Sequence, residues 1–147
     1  HMERRTSVMG TTIRAEVSKK NPYWIERHRY YELKHFCLQY PIWKQSYASL
    51  GFFASNSSNL NLCRTHYHMS NPTERISIVR ASLCEKMNMI ERAAEESDPE
   101  LAQYILIGVT EGVSYDIIRV RYNIPCCKDV YYETYRRFFW LLNKIRD

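Results

Sequence analysis

Between residues 23 and 40 the apolar positions Tyr30, Leu33, Cys37 and Tyr40 recur at spacings of three and four, with Trp24 and Phe36 beside them. That period matches one face of an α-helix, and Asn21-Pro22 ahead of it puts proline at the first helical position, where its missing N–H costs nothing. The pattern predicts a long amphipathic helix from Tyr23 to Tyr40. Pro41 restricts Tyr40 and breaks or kinks that helix, and Ile42, Trp43, Tyr47 and Leu50 mark a short continuation. From Gly51 to Ser70 the period is lost in a polar cluster (Ser55, Asn56, Ser57, Ser58, Asn59, Asn61), which predicts a loop. Residues 1–20 also lack a period and read as a mobile basic arm, His1-Met2 being a cloning remnant.

Periodicity resumes at Asn71-Pro72-Thr73-Glu74, where Asn caps, Pro fits the first turn and Glu reaches back to the cap. Ile76, Val79, Leu83, Met87, Ile90 and Ala94 follow at heptad-like spacing, which suits packing against a second long helix. The favoured partner is the Tyr23–Tyr40 helix; the same helix of a second subunit is the alternative. Ser97-Asp98-Pro99 predicts another start, with Leu101, Tyr104, Ile105 and Val109 leading to a stop at Gly112. Ser114 caps a short helix with Ile117, Ile118 and Val120 facing inward, and a final helix runs from Cys126 or Cys127 to Ile145. No alternating strand pattern occurs, so the expected fold is all-α, divided into an arm (1–20), a helical N-terminal region (21–96) and a C-terminal domain (97–147).

Charge changes this picture. Lys and Arg outnumber Asp and Glu nine to four over residues 1–45 and seven to four over 114–147, whereas acids prevail eight to five between them. Basic ends around an acidic middle suit a polyanionic partner, and twelve tyrosines add rings that pack and hydrogen-bond together. The five cysteines (Cys37, Cys63, Cys84, Cys126, Cys127) are odd in number and scattered, which fits a reducing compartment. With no run long enough to span a membrane and no signal pattern, a cytoplasmic location is expected.

The segment from Glu111 to Leu142 carries the most specific pattern. Gly112 closes a supporting helix, Ser114 caps the next, Asn123 takes a left-handed turn, Ile124 plugs between helices, and Pro125 stops the first while the second begins. In the final helix Tyr131, Tyr135, Phe138 and Leu142 fall within about 60° of one another at roughly 100° per residue, and form a buried stripe. Asp129, Glu133, Arg136, Arg137, Trp140 and Lys144 take the opposite face, with Lys128 and Tyr132 toward one flank. Phe138 to Leu142 are consecutive apolar residues and cover the whole circumference, so Phe139 and Trp140 need a second surface. The candidates are the helix around Trp24, Tyr31 and Phe36, or the equivalent helix of a homodimer partner.

This layout resembles sigma-70 region 4, in which a Ser/Thr-Tyr-acidic-acidic-Ile opening precedes Gly/Asn-Ile-Pro and a basic helix. With its aromatic ending Tyr135-Arg136-Arg137-Phe138-Phe139-Trp140-Leu141-Leu142, the whole region is more similar to the RinA and ArpU type of small phage-encoded late-gene transcription regulators. About one additional residue after Pro125 and the acidic Asp129 and Glu133 depart from the sigma pattern. The resemblance implies a helix-turn-helix that reads double-stranded DNA through the helix starting near Cys126, with RNA polymerase as a further partner. It implies DNA-binding roles for Ser114, Tyr115, Lys128, Asp129, Tyr132, Glu133, Arg136 and Arg137. The alternative is a helical protein-interaction module or an inhibitor of a bacterial or phage-defence enzyme such as an anti-CRISPR protein.

Other chemistry is weakly signalled. Cys63, His66 and His68 cluster as zinc-ligand types, but no second pair at ligand spacing follows, so no metal is expected. His28 and His35 lie on one helical face among Arg27, Arg29 and Lys34 and read as a solvated basic face. Phosphate-loop, metalloprotease and nucleophile-elbow motifs are all missing, and neither catalysis nor a cofactor is expected.

Overall fold

The computed structural model describes residues 19–55 and 71–147 (of 53–55 the backbone alone), and every regular element among them is helical. The elements are α1 (Arg27–Leu38), α2 (Tyr40–Ser55), α3 (Pro72–Ser97), α4 (Ala102–Glu111), α5 (Tyr115–Tyr122) and α6 (Lys128–Arg146). The fold is all-α, as the periodicity predicts, and no helix among the described residues is long and apolar enough to cross a membrane.

The helices form two compact units, one made of the described residues up to Gln39 together with Met89–Asp147, the other of Tyr40–Asn88. These units divide at Gln39/Tyr40 and Asn88/Met89, whereas the sequence pattern suggests a boundary near residue 97. The reason is the second surface that α6 requires. In the first unit α1 packs on α4 and α6: the Tyr30 ring meets Phe139 edge-on at 5.1 Å, and the Tyr30 and Tyr135 hydroxyls lie 3.2 Å apart. The Arg146 guanidinium lies 4.1 Å over the Phe36 ring, and Arg29 donates to Asn143 Oδ1 at 2.6 Å. Phe139 is fully buried by this arrangement. Trp140 is only half-buried; its neighbours are the Tyr23 ring at 5.5 Å and the Lys144 ammonium at 3.7 Å. The aromatic segment near the N-terminus is thus the covering element, but through Tyr30 of α1 and Tyr23 of the turn before it rather than Tyr31, which is exposed.

Helix ends follow local chemistry, with displacements. Asn21-Pro22 makes a turn instead of a cap, Asn21 Oδ1 accepting from the Tyr23 N–H at 2.8 Å. The helix starts four residues later than Tyr23, where the Glu26 carboxylate accepts from the His28 and Arg29 N–H groups at 2.9 and 3.2 Å. The chain breaks at Gln39, not at Pro41, which sits in the first turn of α2 where its missing donor is harmless. Asn71 caps α3 as expected, its Oδ1 accepting from the Glu74 N–H at 2.6 Å. Asp98 instead stabilises a turn, accepting from the Glu100 N–H at 2.9 Å, and α4 begins only at Ala102.

In the second unit, the predicted loop beginning at Gly51 is still helix as far as Ser55. The rings facing residues 72–88 of α3 come from α2, with the Arg80 guanidinium 4.0 Å over Tyr47 and the Lys86 ammonium 5.3 Å from Trp43. Thus α2 lies against this half of α3, where the heptad spacing had favoured the Tyr23–Tyr40 helix. A Cβ at Gly51 would lie 2.9 Å from Arg80 Nη2, so the glycine leaves the guanidinium its place. Val79, expected in the apolar stripe, is 47% exposed. Cys63, His66 and His68, with residues 56–70 of the predicted loop and 1–18 of the predicted arm, lie outside the described residues.

Candidate nucleic-acid interface

The α4–α5–α6 segment is assembled by the chemistry that the sequence announces. Gly112 ends α4 at φ +69°, and Ser114 caps α5 by accepting from the Ile117 N–H at 3.5 Å. Asn123 closes α5 at φ 53°, the left-handed region that Asn tolerates better than most residues, and its N–H donates to Arg119 O at 2.9 Å. Ile124 is buried as the plug between the two helices, and Cys127 precedes the first residue of α6, Lys128. On α5 the buried face is Tyr115 and Ile118, one turn apart. Ile117 and Val120, expected inward, are 40% and 85% exposed. Tyr115 takes the inward place because its ring packs on Tyr131 at 5.5 Å.

The proposed site residues separate into two groups. Ser114, Tyr115 and Tyr132 are braces. The Tyr115 hydroxyl donates to Cys126 O at 2.6 Å, tying the start of α5 to the loop that launches α6, while the Tyr115 N–H donates to the Tyr132 hydroxyl at 3.1 Å. Tyr115 is therefore buried structure, and a role for its side chain in contacting DNA is not what its position offers. Lys128, Asp129, Glu133, Arg136 and Arg137 lie on the first three turns of α6. Lys128 pairs with Asp116 at 3.6 Å and Arg136 with Glu133 at 3.6 Å. The Lys128 pair is solvated on both sides, so that cation remains available to exchange one carboxylate for another anion at small cost, whereas Arg136 is largely buried, its Nε without a hydrogen-bond partner among the described residues. Arg137 reaches the Tyr23 hydroxyl at 3.5 Å with its guanidinium 6.0 Å from that ring. Tyr23 was missed by sequence reasoning, since nothing local to residue 23 signals a partner on α6.

Beneath this face lies a tyrosine cluster. Tyr131 and Tyr135 are held protonated well above the ordinary tyrosine range, first by burial and then by neighbouring hydroxyls. The Tyr131 hydroxyl is buried with no hydrogen-bond partner among the described residues, against the Cα of Gly108, where any Cβ would collide with it. Burial raises the Cys126 thiol too, reinforced by Cys127 and Asp98. No group of three or more His, Cys, Asp or Glu side chains that could hold a metal ion occurs among the described residues. No protein-family model matches the chain, and no curated protein or solved structure shows significant similarity to it.

Proposed function

We propose that the chain is a sequence-specific DNA-binding transcription regulator of phage or prophage type, acting in the bacterial cytoplasm and reading double-stranded DNA with the N-terminal turns of α6. One observation carries this reading: α6 is launched from a left-handed Asn123 turn and an Ile124 plug, and its first turns present Lys128, Asp129 and Glu133 exposed, with Arg136 and Arg137 on the next turn. A helix so mounted is the element that enters a major groove, its early side chains meeting base edges and its cations meeting phosphates. RNA polymerase is a further proposed partner, and no catalysis is part of the reading. The test is duplex binding across a salt series, with genomic pull-down to supply the operator. Changing Lys128 and Arg137 to Ala and Arg136 to Gln should weaken binding strongly and flatten the log–log salt dependence by roughly one unit per lost phosphate contact. A folded triple variant with unchanged affinity and slope would refute the assignment.

The carboxylates Asp129 and Glu133 on the same face favour a second reading, a helical docking module or inhibitor of a bacterial or phage-defence enzyme such as an anti-CRISPR protein. They would oppose phosphates yet complement a basic protein surface. Stable co-purification with one protein and no preference among duplex sequences would select it.

A further inference from the structure

The first unit contains a cleft of about 220 Å³ between α1, α4, α5 and α6, whose lining includes the braces Ser114 and Tyr132. Its buried walls are Val109 and the rings of Tyr135 and Phe139; its more open lining includes Lys34, Val113 and Tyr132. Lys34 is the one formally charged side chain in the lining, which contains no carboxylate; its ammonium stands 6.0 Å from the exposed Tyr31 ring, so meeting a carboxylate in the cleft means giving up that weak contact. The Tyr132 hydroxyl accepts from the Tyr115 N–H at 3.1 Å and so keeps its own proton to donate. A dry apolar cavity of about 150 Å³ admits benzene, so this cleft has room for one ring and a short polar group. Aromatic walls, an ammonium and a hydroxyl donor together define the complementary molecule.

We propose that this cleft binds a small carboxylate bearing a single aromatic ring, the ring lying against Tyr135 and Phe139 and the carboxylate meeting Lys34 and Tyr132. Binding belongs to the free protein and does not depend on how α6 is used. A ligand of about ten heavy atoms at ordinary efficiency binds with a dissociation constant near about 1 mM.

Phenylacetate and its uncharged counterpart 2-phenylethanol, titrated into the ¹⁵N-labelled full chain, test this directly. Phenylacetate should shift the amides of Gly112, Val113 and Tyr132 saturably and bind more tightly than the alcohol. Lys34→Ala should weaken phenylacetate about threefold to fivefold while leaving the alcohol unchanged, as loss of one solvated charge pair predicts. Val113→Trp should fill the cleft and abolish both; Ile117→Trp, at a more exposed lining position, does the same should the first variant fail to fold. Absence of saturable shifts up to about 20 mM, or binding that survives the filling variants, overturns the site. Equal affinity for acid and alcohol overturns the ligand class.

Discussion

The two units differ in how they are held. Among the described residues, all of the largest fully buried side chains, including Tyr30, Tyr131, Phe138, Phe139, Ile105 and Ile118, belong to the first unit. Among the described residues of the second, the buried apolar side chains are Tyr40, Trp43 and Met87, while Ile42, Phe52, Ile78 and Val79 are exposed. The first unit is a close-packed aromatic core in which a single methyl group is felt. Described packing in the second leans on cations lying over rings, worth about 0.5–1 kcal/mol each at exposed sites. The helix proposed to read DNA, α6, belongs to the close-packed unit.

Alkaline pH bears on the first unit in particular, because Cys37, Tyr131 and Tyr135 all lie in it. Burial raises each above its ordinary value, 9.0 for the thiol and 10.0 for the phenols, so the unfolded chain releases these protons first as pH rises. Their contribution to stability is therefore complete below about pH 9 and is lost above it, by about 1.4 kcal/mol per pH unit for each group once its unfolded value is passed. Denaturant unfolding of the first unit should collapse between about pH 9 and 11; a flat profile there would mean that these groups are solvated. Next in size, Phe139→Ala should cost about 3–5 kcal/mol by opening a cavity between α1 and α6. Ile78→Ala in the second unit should stay within about 0.5 kcal/mol. Comparable losses at the two positions would erase the distinction drawn between the units.

The sequence made local chemistry legible and left partner choice obscure. Asn71, Gly112, Ser114 and Asn123 were readable because each acts on backbone groups within four residues of itself. The buried stripe of α6 was readable because its period is long and strong. That α1 would cover Phe139 through Tyr30 was not, because the choice among several aromatic helices depends on contacts over a hundred residues apart. At the candidate site, Lys128, Asp129, Glu133 and Arg137 sit exposed on α6 as expected, but Tyr115 turned out to be a core residue. An amphipathic helix of only eight residues offers too few turns to tell Ile117 from Ile118 by period.

Two glycines bring the comparison down to one methyl group. Gly108→Ala in the first unit drives a Cβ into the Tyr131 hydroxyl and to 3.3 Å from Ile118 Cδ1. Neither neighbour has room to retreat, so the substitution should destabilise by about 1–3 kcal/mol despite alanine's better helix propensity. Adding Tyr131→Phe removes the hydroxyl being struck, an unsatisfied buried group in its own right, and should recover most of that loss. A double-mutant cycle showing simple additivity would place the strain elsewhere.

In the second unit Gly51→Ala poses the same question with the opposite expected answer. Its new Cβ would lie 2.9 Å from Arg80 Nη2, again closer than packed atoms approach. Here the obstacle is the far end of a long, flexible side chain, and the Arg80 Nε is already buried without a hydrogen-bond partner among the described residues. Moving the guanidinium gives up at most its contact with the Tyr47 ring, about 0.5–1 kcal/mol. Replacing glycine inside a helix by alanine gains about 0.8–1.0 kcal/mol. The two nearly cancel, with the balance on the side of alanine, so Gly51→Ala should be neutral or stabilise by up to about 0.5 kcal/mol. Helicity and hydrogen exchange at α2 amides would measure it. A loss as large as that of Gly108→Ala would mean that Arg80 is as tightly held as Tyr131, and that the second unit has a rigid core after all.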